Sequence, residues 1–280
     1  MHKLNPVLLY LLFSASCNQQ QARPDYPLTI RIKKHTAENT AARNPENIKV
    51  IHVFVALCDN IYQGIVPVPA KIGNGQDPAN NLYWGCGYGV KTFFSAQKTW
   101  QLISVKKPGP ASIILERLVF KYRTKEIYLV ADAYNGKEIK QCTINFLKSC
   151  CGDFADSVTV NNKLIYCGGA SQIIAYTGHD GLMDFSLPET FKATDTHKRE
   201  AMIFACVSKN YFAKHIANTG ATPVVWTTGL CSPEAYSLAA ALESRISNEQ
   251  VENAARRAAA AYSKFQKCSY HAAQKLMVYR

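Results

Sequence analysis

Ile48-Lys49-Val50-Ile51-His52-Val53-Phe54-Val55-Ala56-Leu57 decides the fold. The run is almost continuously apolar and rich in β-branched residues, whereas a strand with one wet face alternates. It predicts a strand buried on both faces, and such a strand needs covering layers above and below its sheet. Similar runs recur at Glu126-Ile127-Tyr128-Leu129-Val130-Ala131, Gln172-Ile173-Ile174-Ala175-Tyr176, Ala201-Met202-Ile203-Phe204-Ala205 and Pro223-Val224-Val225-Trp226. Helix-like stretches lie between them. One runs from Lys137 to Lys148 with apolar residues at 139, 142, 144, 146 and 147; a longer, alanine-dominated one runs from Pro233 through about Lys267, with Pro233 in its first turn. Strands alternating with helices predict an α/β fold, a mostly parallel sheet flanked by helices on both faces. In sheets of this kind the reactive residues sit just beyond the carboxyl ends of the strands.

Outward from this block the chain changes character. Residues 18 to about 46 are polar, rich in Gln, Asn, Thr and Ala, with prolines at 24, 27 and 45; they predict a tether with one short strand at Leu28-Thr29-Ile30-Arg31-Ile32. Ahead of them, Lys3 and the apolar run Val7 to Phe13 have the form of a bacterial export signal, too short to span a bilayer. Ser14-Ala15-Ser16 before Cys17 resembles a lipobox, with Ser14 where a larger aliphatic residue is usual; the other reading is an ordinary cleaved signal. The expected organisation is a signal peptide over 1–16, a tether over 17–46 lipidated at Cys17, and one α/β domain over 47–280. That implies export to the bacterial cell envelope, with a lipid anchor on its periplasmic or surface face.

The formal charge of +12 comes from scattered residues, as at Lys33-Lys34, Lys106-Lys107 and Arg256-Arg257. No zinc finger or RNA-recognition signature accompanies them, so a solvated basic surface is expected and no nucleic-acid partner. Ten cysteines include no CxxC pair, and Cys150-Cys151 are adjacent, a poor spacing for zinc. Setting Cys17 aside leaves an odd number, which fits a free reactive thiol. His52 is expected to be structural, and His35, His197, His215 and His271 show no ligand spacing. Gly85-Cys86-Gly87-Tyr88-Gly89 is not a dinucleotide fingerprint, and neither GxSxG nor a Walker motif is present. No metal or organic cofactor is implied.

Two strand ends carry chemically capable side chains: Ile173-Ile174-Ala175-Tyr176-Thr177-Gly178-His179-Asp180-Gly181 and Met202-Ile203-Phe204-Ala205-Cys206-Val207-Ser208. Consecutive parallel strands are usually neighbours, so His179 and Cys206 are expected at one sheet edge. There an imidazole promotes a thiolate or protonates a leaving amine, and backbone N–H groups stabilise an oxyanion.

These two segments resemble the caspase–legumain group of cysteine peptidases, marked by an apolar strand ending in His-Gly followed by one ending in Ala-Cys or Asp-Cys. The nearest local likeness is to legumain and the GPI-anchor transamidase subunit, in the segment Thr177-Gly178-His179-Asp180-Gly181-Leu182-Met183-Asp184-Phe185. Val225-Trp226-Thr227-Thr228-Gly229-Leu230-Cys231-Ser232-Pro233-Glu234-Ala235-Tyr236-Ser237 is similar to the next strand of that family. More loosely, Asp59-Asn60 and Gly75-Gln76-Asp77-Pro78-Ala79-Asn80-Asn81-Leu82 look like its loop and helix after strand one. The resemblance spans roughly residues 48 to 245. It implies a caspase–hemoglobinase-like fold and an endopeptidase acting on peptide or protein substrates. Cys206 would be the nucleophile, His179 its partner, and the N–H groups of Cys206 and Asp180 the oxyanion hole. Lys71, Asp132, Thr227 and Thr228 are candidates for the substrate pocket; for Asp132 a turn or helix cap is the plainer role. Asp180 stands where the family carries glycine. An acid there opposes the oxyanion, turns outward, or selects a basic substrate. The alternative function is a catalytically inactive lipoprotein that keeps the fold as a binding or scaffold module.

Overall fold

The computed structural model describes residues 43–279. The expected signal segment, Cys17, the strand over 28–32 and all but the end of the tether lie outside the described residues. The described residues belong to one compact unit. Among the described residues no helix is long and apolar enough to cross a membrane.

The strands, in chain order, are β1 (Lys49–Ala56), β2 (Trp100–Lys106), β3 (Ile114–Tyr122), β4 (Ile127–Tyr134), β5 (Ala155–Val160), β6 (Lys163–Gly168), β7 (Ile173–Gly178), β8 (Glu200–Phe204), β9 (Thr222–Thr227) and β10 (Met277–Val278). The helices are α1 (Val90–Ala96), α2 (Ile139–Cys151), α3 (Ser208–Ile216), α4 (Ala235–Ile246), α5 (Asn253–Gln266) and α6 (Tyr270–Leu276). The main sheet runs β10-β9-β8-β7-β1-β4-β3-β2. The five predicted apolar runs are its parallel strands β9, β8, β7, β1 and β4. Between β1 and β7 the order reverses direction, the switch point beside whose carboxyl ends doubly wound sheets place their ligand sites.

β1 explains the layering. Ile51, Val53, Val55 and Leu57 pack into a core shared with α1, α4 and α5, while Phe54 and Ala56 face α2 and α3. Phe54 meets Tyr134, Phe146 and Phe154. Truncating such a residue to alanine costs about 3–5 kcal/mol. Further along the same face, Val50 and Val130 are covered by the β5–β6 hairpin. Asn161 and Asn162, both at positive φ (48° and 63°), make its tight turn, the conformation Asn tolerates best after glycine.

One sequence expectation is corrected and another is extended. The stretch from Pro233 to Lys267 is two helices, not one. α4 stops at Ser247 and Asn248, where Asn248 takes a left-handed φ of 54°, and Pro233 precedes the helix rather than opening it. The sheet also extends beyond the predicted strands, through the antiparallel edge β3–β2 and the short antiparallel β10. β2 is a half-exposed edge ending in Lys106, so it lacks the unbroken apolar run that marks the central strands.

Candidate functional site

The parallel register of β7 and β8 ends at Thr177 opposite Phe204. His179 and Cys206 each lie two residues past that pair, so the sheet delivers both to the same edge. Gly178 makes this possible. At φ 144° it lies against Ala56 of β1, and a Cβ would come within 2.7 Å of the Ala56 carbonyl oxygen.

His179 is fixed from two sides. The Tyr176 hydroxyl donates to its carbonyl at 2.8 Å. Its Nε2 bonds Asp184 Oδ2 at 2.8 Å, and that oxygen also accepts from the Gly64 N–H at 2.9 Å. Nδ1 makes no hydrogen bond among the described residues, so it is the nitrogen left to face a reacting group. A carboxylate that orients the imidazole of a nucleophile's partner is the logic of a catalytic triad. Asp184 was quoted within the sequence segment but assigned no role there. Its second anchor, Gly64, comes from a loop 120 positions away, and no local pattern reports it.

Cys206 sits on a strained turn. Val207, β-branched, adopts the left-handed conformation at φ 51°, ψ 28°, which costs about 1–3 kcal/mol. The turn holds because β9 staples it. The Thr227 hydroxyl donates to the Ala205 carbonyl, the Thr227 N–H donates to Ser208 Oγ at 2.9 Å, and the Ser208 hydroxyl donates to the Ile203 carbonyl at 3.0 Å. The Val207 N–H adds a bond to the Gly229 carbonyl at 2.9 Å. α3 starts directly after the turn, so its N-terminal N–H groups and dipole favour a negative sulfur.

The thiol's partner is Cys231. Cys206 Sγ lies 3.4 Å from both the amide nitrogen and the carbonyl oxygen of Cys231, and the two side chains hydrogen-bond. That thiol-to-thiol bond lowers the Cys206 pKa from the ordinary cysteine value to about 6, against the opposing effect of burial. Cys231 is pushed the other way, well above its ordinary value, because it holds the shared proton and is desolvated. No hydrogen bond joins Cys206 to His179 among the described residues. Such contacts are often loose before substrate binds.

Asp180 is fully buried beside this thiol. Its Oδ1 accepts the Leu182 N–H at 3.0 Å, while Oδ2 has no partner among the described residues. Burial raises its pKa to about 7, with the negative charges of Cys206 and Asp184 adding to the effect. Of the three alternatives for this residue, the outward turn is ruled out: the side chain is inside. The backbone N–H groups of Asp180 and Cys206 donate to no protein acceptor among the described residues, as an oxyanion hole requires.

The remaining sequence candidates are placed otherwise. Lys71 is exposed on its loop. Thr227 is buried and its hydroxyl is committed to the turn under Cys206, and Thr228 donates to the Lys275 carbonyl at 2.6 Å. Asp132 is neither a cap nor a cleft wall. It lies opposite Phe54 within β4, bound bidentately by Arg117 at 2.6 Å and by His52 Nε2 at 3.0 Å. Arg117 holds its pKa down to about 2 despite complete burial. His52, Asp156 and Cys167 offer ligand atoms within 4.8 Å of one another. They do not suit a metal, because His52 Nδ1 already accepts the Gly168 N–H and the Arg117 guanidinium already bridges Asp132 and Asp156.

No protein-family model, no curated protein and no solved structure matches the chain.

Proposed function

We propose that this protein is a cysteine endopeptidase of the caspase–legumain type, with Cys206 as nucleophile. The observation that carries the reading is a thiol with a pKa of about 6 on a strained strand-to-helix turn, at the same sheet edge as an imidazole oriented by a carboxylate. In the mechanism that follows, the Cys206 thiolate attacks a peptide carbonyl, and the N–H groups of Cys206 and Asp180 receive the developing oxyanion. His179 Nδ1 delivers a proton to the departing amine while Asp184 holds Nε2. Water then hydrolyses the thioester with His179 as base. The lipidated N-terminus at Cys17 and the cell-envelope location belong to the same proposal.

A second reading, a binding module that keeps this framework, is favoured by the buried Asp180 next to the thiol, whose Oδ2 has no partner among the described residues. Intact-mass labelling with a panel of peptidyl acyloxymethyl ketones separates the two. The peptidase reading expects one adduct on Cys206 that requires the peptide portion, vanishes in Cys206→Ala and is strongly reduced in His179→Ala. A folded, reduced protein that no peptidyl ketone labels, yet that simple iodoacetamide alkylates at Cys206, would sink it in favour of the module.

A further inference from the structure

We propose that Cys206 and Cys231 form a reversible disulfide that switches the site off. The geometry supplies the means. Cys206 Sγ sits 3.4 Å from the Cys231 backbone nitrogen, the two side chains already touch, and both residues are half-buried and not sealed in the core. Cys231 lies in the loop after β9 next to the 75% exposed Leu230, and Cys206, the sulfur that attacks first, is itself part-exposed to solvent. The other cysteine of this neighbourhood is unsuited. Cys58 is fully buried at the end of β1, and burial raises its pKa to about 11.

The chemistry follows the division of roles already present. The co-reactant is a low-molecular-weight disulfide. The Cys206 thiolate attacks one of its sulfurs, the S–S bond breaks, and one small thiolate leaves. Cys231 then gives up its proton to that thiolate and attacks Cys206 Sγ. A second small thiolate departs and the Cys206–Cys231 bond is formed. Two electrons pass to the small disulfide, and a small thiol and a small thiolate are released. The lower-pKa sulfur attacks first and its neighbour resolves the mixed disulfide, the division of labour expected of a paired site. The silencing function rests on the peptidase reading; the disulfide itself does not.

The test equilibrates the purified protein in glutathione redox buffers, quenches with acid and N-ethylmaleimide, and maps peptides by mass. The expected result is a Cys206–Cys231 cross-link that forms before any other cysteine oxidises. Peptidyl-ketone labelling then falls at least about tenfold and is restored by dithiothreitol. Cys231→Ser and Cys231→Ala are expected to stall as a stable glutathione adduct on Cys206. A stable adduct on Cys206 in the wild type, or oxidation elsewhere first, overturns the proposal. A cross-link in a protein that no peptidyl ketone labels when reduced leaves the disulfide standing and removes the peptidase. Ketone labelling without any cross-link does the reverse.

Discussion

Replacing Asp180 with Asn should stabilise the protein, and only above mildly acidic pH. Burial with one oxygen unpaired raises this carboxyl to about 7, against roughly 3.9 in an unfolded chain. The folded state therefore binds the proton more tightly than the unfolded one. The group's contribution is least harmful below about pH 4, and stability falls as pH rises towards 7, by about 4 kcal/mol in all. Between pH 5 and pH 8 the wild type should lose about 2.5 kcal/mol more than Asp180→Asn, because the amide cannot ionise. Asn keeps the acceptor for the Leu182 N–H, so the local turn survives. For a domain of this size the difference is a relative change in melting temperature of about 5–10 °C. Guanidinium melts of both proteins at pH 5 and pH 8 read it, and titrating groups remote from Asp180 cancel in the comparison; making it in a Cys206→Ala background removes the coupled thiol as well. Parallel pH dependences for the two proteins would refute the reasoning. A stability gain at pH 8 joined to altered Cys206 reactivity would show the carboxylate to be a strained feature retained for function.

Cys231→Ala should move the midpoint of Cys206 alkylation from about pH 6 upward by at least about one pH unit, read as iodoacetamide rate against pH. The rate at pH 7 falls only several-fold, roughly, because a thiolate of higher pKa is the better nucleophile; an unmoved midpoint removes Cys231 as the cause. Arg117→Met leaves the buried Asp132 with His52 as its remaining side-chain partner and should cost about 3–5 kcal/mol in urea melts at neutral pH. In the wild type, Asp132 stabilises above roughly pH 4, and this is lost as pH falls towards 2, a limb the variant should lack. Thr227→Val leaves the Ala205 carbonyl without its donor and should cost about 1–3 kcal/mol, with slower Cys206 labelling in the folded fraction.

The central strands were legible because burial on both faces leaves a mark in the chain itself: β1, β4, β7, β8 and β9 are unbroken apolar runs. β2 and β3 were not read, since an edge strand half in water has no reason to carry that mark. Of the candidate site, the positions of His179 and Cys206 at one sheet edge were readable because each closely follows such a run. Cys231 lies in an irregular loop 25 positions from Cys206, and only the folded sheet brings the two sulfurs together. Asp132 misled for a related reason. A carboxylate near a strand end normally caps a turn, and its true partner, Arg117, is set by antiparallel register with a strand that was itself unread.

The short β10 has a consequence out of proportion to its two residues. Met277 pairs with Thr227 and Val278 with Trp226, covering the carboxyl end of what would otherwise be an open margin of the sheet. Thr227 is the same residue whose hydroxyl holds the turn under Cys206. Damage to the tail is thus transmitted to the sulfur through one shared threonine, and it uncovers a sticky strand margin at the same moment. Proteolytic removal of β10 would weaken the support of the turn that carries Cys206 and favour self-association in a single event.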